Sequence, residues 1–388
     1  MTPEKYLDYH ATTPVDPRVL DAMWPYFADR FGNPASRTHA AGRDAGRAVD
    51  VAREQVATFI GARAQEITFT GGATESNNLA LKGIAHARRG SRPSRIVTLA
   101  TEHRSVLDTG GALEREGFDV VRLAVRPDGL VDLDDLRRAV ATPTLLVSIM
   151  VANNEIGVLQ PIAEIAPIVH AAGALLHTDA SQATGKVPVD VQALDVDLMS
   201  FTAHKMYGPK GIGALYVHPD VGRLEPVLHG GGHERGLRSG TLNVPGIVGF
   251  GVAAAVAMAE LNEEAERLAG LRDQLLAGLL AAIPDLRING SMAARLPHNL
   301  HVSVPGVDAE TLGPVLDDVA VSTGSACSSA HEGASHVLLA LGLPEDLARA
   351  SIRFGLGRWT TSATINEAID RVSRAVADLR ALEAQLRG

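Results

Sequence analysis

The chain has 388 residues, 46% of them hydrophobic, and a formal net charge of −9 at pH 7. That length and apolar content provide a large core divided over about two domains. The acidic balance, with no basic tract of five or more residues, excludes a nucleic-acid-binding surface as the main function. A single cysteine, Cys327, excludes an internal disulfide and a four-thiolate zinc site.

The opening Met1-Thr2-Pro3-Glu4-Lys5-Tyr6-Leu7-Asp8 is too charged for a signal peptide. Helical spacing over Ala45–Ile60 puts Ala48, Val51, Ala52, Val56, Phe59 and Ile60 on one face. Short apolar runs then alternate with further helical segments. Expected strands are Glu66–Thr70, Arg95–Leu99, Asp119–Leu123, Leu145–Val151, Ala174–Thr178, Leu198–Thr202 and Gly213–Val217; expected helices are Ser105–Glu116, Leu133–Ala141 and Ile162–Ala172. This alternation implies an α/β fold with a mostly parallel sheet covered on both faces. Beyond Thr241 the character changes. Gly246 to Ile283 reads as one long helix or two abutting ones, followed by a strand-like His298–Val304, a glycine-serine segment and a helix-rich end. A boundary is expected near residue 257. The uncharged stretch Gly246 to Ala259 is too short to cross a bilayer. No membrane association is expected, and the chain reads as cytoplasmic.

Three places carry chemistry. Glu66-Ile67-Thr68-Phe69-Thr70 leads through Gly71-Gly72 into Ala73-Thr74-Glu75. Such a strand-turn-helix junction offers unpaired N–H groups to a phosphate, although a glycine turn of this kind is more often only a connection. Asp179 follows the apolar strand Ala174–Leu176, at a carboxyl end where parallel sheets bind ligands; it reads as a helix cap or as the partner of a buried cationic heteroatom. A further strand delivers Thr202, His204 and Lys205. Only five of the 36 basic residues are lysines, so a retained lysine points to chemistry arginine cannot do, such as forming an imine. An acid, a phosphate cradle and an imine-forming lysine on strand ends are the parts needed to hold pyridoxal phosphate. Cys327 lies in Ser322-Thr323-Gly324-Ser325-Ala326-Cys327-Ser328-Ser329, a polar setting that exposes a thiol, whereas a lone cysteine is usually inert and buried.

These motifs, with Ala11-Thr12-Thr13-Pro14, Thr101-Glu102-His103, Asn153-Asn154-Glu155-Ile156-Gly157, His229-Gly230-Gly231-Gly232-His233-Glu234-Arg235-Gly236-Leu237-Arg238-Ser239-Gly240-Thr241 and Ser351-Ile352-Arg353-Phe354, resemble the cysteine desulfurases of the IscS/NifS type, class V fold-type I pyridoxal-phosphate enzymes. The resemblance runs nearly end to end. It implies a large domain over residues 16–257 with a seven-stranded sheet. A smaller α+β domain would comprise 1–15 and 258–388 and carry a cysteine loop at about 321–336. It implies Lys205 as Schiff-base lysine, Asp179 as pyridinium partner, and Gln182 and Asn154 as cofactor-binding residues, Gln182 at the ring hydroxyl. His103 would stack on the ring and transfer protons. Ala73, Thr74, Thr202 and His204 match phosphate-binding positions, and Thr241 one that reaches the neighbouring subunit's phosphate, so a homodimer is expected. Arg353 matches a clamp for the substrate carboxylate, a role suited to its planar fork, and Asn154 lies beside the substrate. Cys327 matches the nucleophile that takes sulfur from L-cysteine.

No His/Asp/Glu grouping has metal-ligand spacing, so no metal is assigned to His10, His229, His233 or His331, whose roles stay open, and Lys210 is read as structural. The phosphate turn has Gly71-Gly72 where many relatives of that type have Ser-Gly. The expected activity is removal of sulfur from L-cysteine, giving L-alanine and a Cys327 persulfide. A selenocysteine lyase or class V aminotransferase on the same fold is the alternative. The acceptor is expected to be a protein: an iron–sulfur scaffold or a tRNA or DNA thiolation protein.

Overall fold

The computed structural model describes Thr2 and residues 5–90, 93–307, 319–323 and 333–387. Among these, eleven strands form two sheets. The first comprises β1 (Ile67–Thr70), β2 (Arg95–Leu99), β3 (Asp119–Leu123), β4 (Thr144–Ser148), β5 (Leu175–Asp179), β6 (Leu198–Thr202) and β7 (Gly213–Val217), in the order β1-β7-β6-β5-β4-β2-β3. β3, β2, β4, β5 and β6 pair in parallel, and β7 runs antiparallel to both β6 and β1. Reversing β7 restores β1 to the direction of β6, so the carboxyl ends of β1, β5 and β6 share one edge. β4 and β6 are buried at every residue, as an apolar strand covered by helices on both faces must be. The edge strand β3 is only half covered, and Asp119 on it pairs with Arg95 at 2.6 Å.

The helix Ala40–Phe59 buries Ala45, Val49, Ala52, Val56 and Ala57. Val51, expected on that face, is 59% exposed. Ala45, Val49, Ala52 and Val56 follow the three-and-four spacing of a single apolar stripe, from which Val51 is rotated away.

The helix Val244–Ala282 is continuous through residue 257. Asn243 caps it by accepting from the Gly246 N–H (3.1 Å), with Pro245 in its first turn. Its first half packs Ile247, Phe250 and Ala254 into the core under the large sheet. Its second half contributes Leu268, Leu275 and Leu279 to a second core. The helix is long and apolar enough to cross a membrane, but more than half of its most apolar stretch is buried inside the fold, as expected of a core helix. Residue for residue, the helix exceeds the Gly246 to Ala259 stretch because apolar positions continue past Glu260 with core spacing.

The second core lies under the antiparallel sheet β10-β11-β9-β8, formed by β8 (Arg287–Ile288), β9 (Asn299–Ser303), β10 (Ser322–Thr323) and β11 (Ser351–Gly355). Leu7 is part of this core. Tyr6 and Asp8 bridge to Ala320 and Gly355, so the N-terminal segment packs here and then crosses to the large sheet.

Candidate active site

A cavity of about 780 Å³ lies at the carboxyl edge of the large sheet. β1 ends in Thr70 and turns through Gly71-Gly72 into the helix Ala73–Ala87, whose start has no side-chain cap. The cap residue Gly72 has φ 149°, a conformation that favours glycine. Thr70 and Thr202 flank Gly213 on either side in the sheet. A Cβ on Gly213 would meet the Gly72 Cα and the Phe201 carbonyl oxygen at 2.7 Å each. The turn crosses β7 against bare backbone, and the first N–H groups of a 15-residue helix face the cavity together with Ala73 and Thr74. Glu75, which also lines the cavity, accepts from the Gly71 N–H at 2.7 Å and is paired with Arg238 at 2.9 Å.

β5 ends in Asp179. Its Oδ2 accepts from Asn77 Nδ2 (2.7 Å) and its Oδ1 from the Ser181 N–H (2.9 Å). Asn77 also donates to Ser105 Oγ (2.8 Å), which lies 2.8 Å from His103 Nδ1. His103 caps the helix Arg104–Arg115 by accepting the Ser105 N–H at that same nitrogen. Behind it, burial pushes Glu102 well above the usual carboxylate range, with Asp179 adding to the shift. Glu102 accepts from the Met150 N–H (2.8 Å).

β6 delivers Thr202, His204 and Lys205. The lysine is 9% exposed; its Nζ donates to the carbonyl oxygens of His10 and Ala11. Burial, then the charge of Lys205, lowers His204 to about 4, so its ring is neutral at pH 7. The Thr202 hydroxyl donates to the Ile212 carbonyl oxygen (3.1 Å).

Of the residues singled out from sequence, Ala73, Thr74, His103, Asn154, Asp179, Gln182, Thr202, His204 and Lys205 line this one cavity. Lys210, read as structural, lines it too from an exposed position. Arg353 does not line it. Its Nη2 donates to Asp8 Oδ1 and its Nη1 to the Asn154 carbonyl oxygen, at 2.7 and 2.8 Å. Thr241 is exposed and lies outside the cavity lining. Cys327 and His331 lie outside the described residues. At the flanks of their segment, Ser322 pairs with Arg353 across β10 and β11. The Ser335 hydroxyl donates to Glu155 Oε2, and His336 Nε2 donates to the Glu102 carbonyl oxygen (3.1 Å). His10 and Asn299, which hold the cavity residues, have no local sequence signature. Their partners lie far away in the chain, 172 residues for His10 with Gln182 and 289 for Asn299 with His10.

The arrangement fits pyridoxal phosphate. An uncapped helix start suits its phosphate, a buried carboxylate its pyridine nitrogen and a buried primary amine its carbonyl. The Oδ1 of Asn154, buried without a hydrogen-bond partner among the described residues, leaves a polar atom for a bound group.

The aminotransferase class-V family model matches residues 5–367. A cysteine desulfurase IscS from Anaeromyxobacter sp. (strain Fw109-5) is 56% identical over 377 residues, covering 97% of this chain and 93% of the relative. Among solved structures, a NifS-like protein superposes with a TM-score of 0.90 at 38% identity, over 96% of this chain and 99% of its own. A structure described as SspA in complex with cysteine gives 0.80 at 37% identity, over 92% of this chain and 99% of its own. The chain belongs to the aminotransferase class-V family of pyridoxal-phosphate enzymes, within its IscS/NifS-type cysteine desulfurases.

Proposed function

We propose that this chain is a cysteine desulfurase that converts L-cysteine to L-alanine and collects the sulfur as a persulfide on Cys327. The observation carrying this is the convergence on one cavity of the buried Lys205 amine, the buried Asp179 carboxylate and the uncapped start of the Ala73–Ala87 helix. Pyridoxal phosphate, when bound, supplies an electron sink for the substrate's α-carbon. Asp179, positioned by Asn77, would pair with its protonated ring nitrogen. The amides of Ala73 and Thr74, with neutral His204 and Thr202, would hold its phosphate. Lys205 would supply the primary amine for its carbonyl group, and Gln182 and Asn154 would hold its ring substituents.

His103 accepts the Ser105 amide at Nδ1. Its neutral ring therefore carries the proton on Nε2, the nitrogen at which it exchanges protons. Arg353 takes the substrate carboxylate, supported by a buried Nε without a hydrogen-bond partner among the described residues. The Cys327 thiolate attacks the substrate sulfur. The new S–S bond forms as the C–S bond breaks, its electron pair stays on carbon, and a proton completes the methyl group of alanine.

Residues 16–257 serve as the cofactor domain, and 1–15 with 258–388 as the smaller domain carrying the cysteine loop. We place the enzyme in the cytoplasm as a homodimer. Trp24, Phe27 and Phe31, exposed by 67, 60 and 76%, support a buried subunit contact; Thr241 reaches the partner's phosphate site. The persulfide passes to an acceptor protein, an iron–sulfur scaffold or a tRNA or DNA thiolation protein. Borohydride reduction of the holoenzyme and peptide mapping should place the pyridoxyl label on Lys205. A label on Lys210, the other lysine lining the cavity, would refute the assignment.

A further inference from the structure

Behind Gln182 lies a chain of hydrogen bonds whose direction is fixed at both ends. Arg295, 6% exposed, has only donors. Its Nη1 donates to Asn299 Oδ1 (2.7 Å), while its other N–H groups go to the carbonyl oxygens of Asn289, Gly290 and Ser291. The Asn299 oxygen is thereby committed, and its Nδ2 donates twice: to the Glu155 carbonyl oxygen and to His10 Nε2, both at 3.0 Å. His10 Nε2 is therefore an acceptor, so the neutral ring carries its proton on Nδ1. That N–H donates to Gln182 Oε1 (3.0 Å). The Gln182 nitrogen returns one N–H to the His10 carbonyl oxygen (3.1 Å), the same oxygen that receives Lys205. Its second N–H is what Gln182 brings to the cavity it lines.

The reverse polarity would keep the two contacts of the His10 ring but fail at the fixed ends, Arg295, the Glu155 carbonyl and the His10 carbonyl. A flipped Gln182 would set its oxygen against the His10 carbonyl. A flipped Asn299 would set its amide N–H groups against Arg295 and its oxygen against the Glu155 carbonyl. A doubly protonated His10 would set an N–H against the Asn299 N–H. The ring is fully buried and stacked on His298 with 4.3 Å between centroids, so no rotation offers it water.

We propose that Arg295, Asn299 and His10 are positioning residues forming a polarity relay that commits Gln182 to presenting an N–H donor to the cavity. The recipient is the acidic ring oxygen of the cofactor. This rests on the pyridoxal-phosphate reading above. A carbonyl oxygen at that place would repel the same ring oxygen, so the relay favours the cofactor's anionic form through residues set behind the cavity wall rather than through the wall alone.

The test begins with the apo protein. With 15N-labelled histidine, the His10 resonances are assigned by their loss in His10→Phe, and long-range 1H–15N spectra report which nitrogen carries the proton. The parent and Arg295→Lys, which keeps a donor, should show His10 protonated on Nδ1 alone. Arg295→Met, which frees the Asn299 amide to turn, should show both tautomers. By equilibrium dialysis with pyridoxal phosphate, His10→Phe should bind about 10- to 100-fold more weakly, the loss expected for one hydrogen bond to a charged acceptor. A parent His10 protonated on Nε2, or a His10→Phe protein binding like the parent, would overturn the relay. If Arg295→Met fails to fold, the parent's tautomer still decides. A parent that takes up no pyridoxal phosphate would overturn the reading of the cavity, while the apo tautomer judges the relay separately.

Discussion

Replacing Glu264 with glutamine removes the carboxylate that pairs with Lys186 at 3.3 Å while keeping its shape. Lys186 is nearly sealed, with 2% of its side chain exposed. Its Nζ also donates to Tyr207 Oη (2.9 Å) and lies 4.1 Å from the centre of the Tyr207 ring. Arg358 stacks on that ring at 4.1 Å and pairs with Glu264 at 2.9 Å, but it keeps Asp16 and Glu260 as further anions. Lys186 is thus the cation left unpaired. Removing one partner of a buried ion pair costs about 3 to 5 kcal/mol. A ceiling comes from deprotonation: carrying a lysine of ordinary pKa to its neutral form at pH 7 costs about 4.6 kcal/mol. Burial already lowers Lys186 below its ordinary value, so the loss should be about 3 to 4 kcal/mol. Urea unfolding at fixed protein concentration should show this as a lower midpoint with an unchanged slope. The pH dependence has a definite sign. With the folded pKa below the unfolded one, the unfolded chain binds more protons between the two values, so stability rises with pH there and the deficit narrows from pH 7 towards 10. Glu264→Gln combined with Lys186→Met should recover most of the loss. A loss under about 1 kcal/mol, the size of an exposed pair, or a deficit that widens with pH would refute the reasoning.

Gly213→Ala should push the Gly72 backbone off β7, since the nearest atoms are backbone at 2.7 Å. Overpacking of this kind costs about 1 to 3 kcal/mol, and pyridoxal-phosphate affinity measured by dialysis should fall while helix content by circular dichroism stays unchanged. Thr241→Ala should weaken cofactor retention without altering the light-scattering mass of a dimer; a mass of one chain in a fully active sample would contradict the shared site.

Local patterns in the chain made much of the architecture legible. Runs such as Leu145-Leu146-Val147 and Leu198-Met199 become strands buried throughout, because covered parallel strands need unbroken apolar character. The reversal of β7 was not legible, since Gly213–Val217 reads the same in either direction. The helix face was misjudged at Val51, which stands two positions from the buried Val49, because a window rich in alanine leaves its stripe weakly marked. Within the site, residues that act from strand ends announced themselves by motif. Those that hold them did not: Asn299 reaches His10 across 289 residues, and Arg353 spends two of its donors on Asp8 and on the Asn154 backbone, pairings that only the folded chain brings about.

The most direct test of the proposed sulfur chemistry is single-turnover formation of alanine from L-cysteine by Cys327→Ser, set beside the absorption change on adding L-cysteine. Serine keeps size and polarity but is too weak an acid to supply an oxyanion near neutral pH, and it cannot form a persulfide. The variant should bind cofactor and respond spectrally to L-cysteine, yet yield almost no alanine and pass no sulfur to an acceptor. Alanine formed from L-cysteine at the parent rate would make Cys327 a bystander and replace the desulfurase account with that of a lyase or aminotransferase.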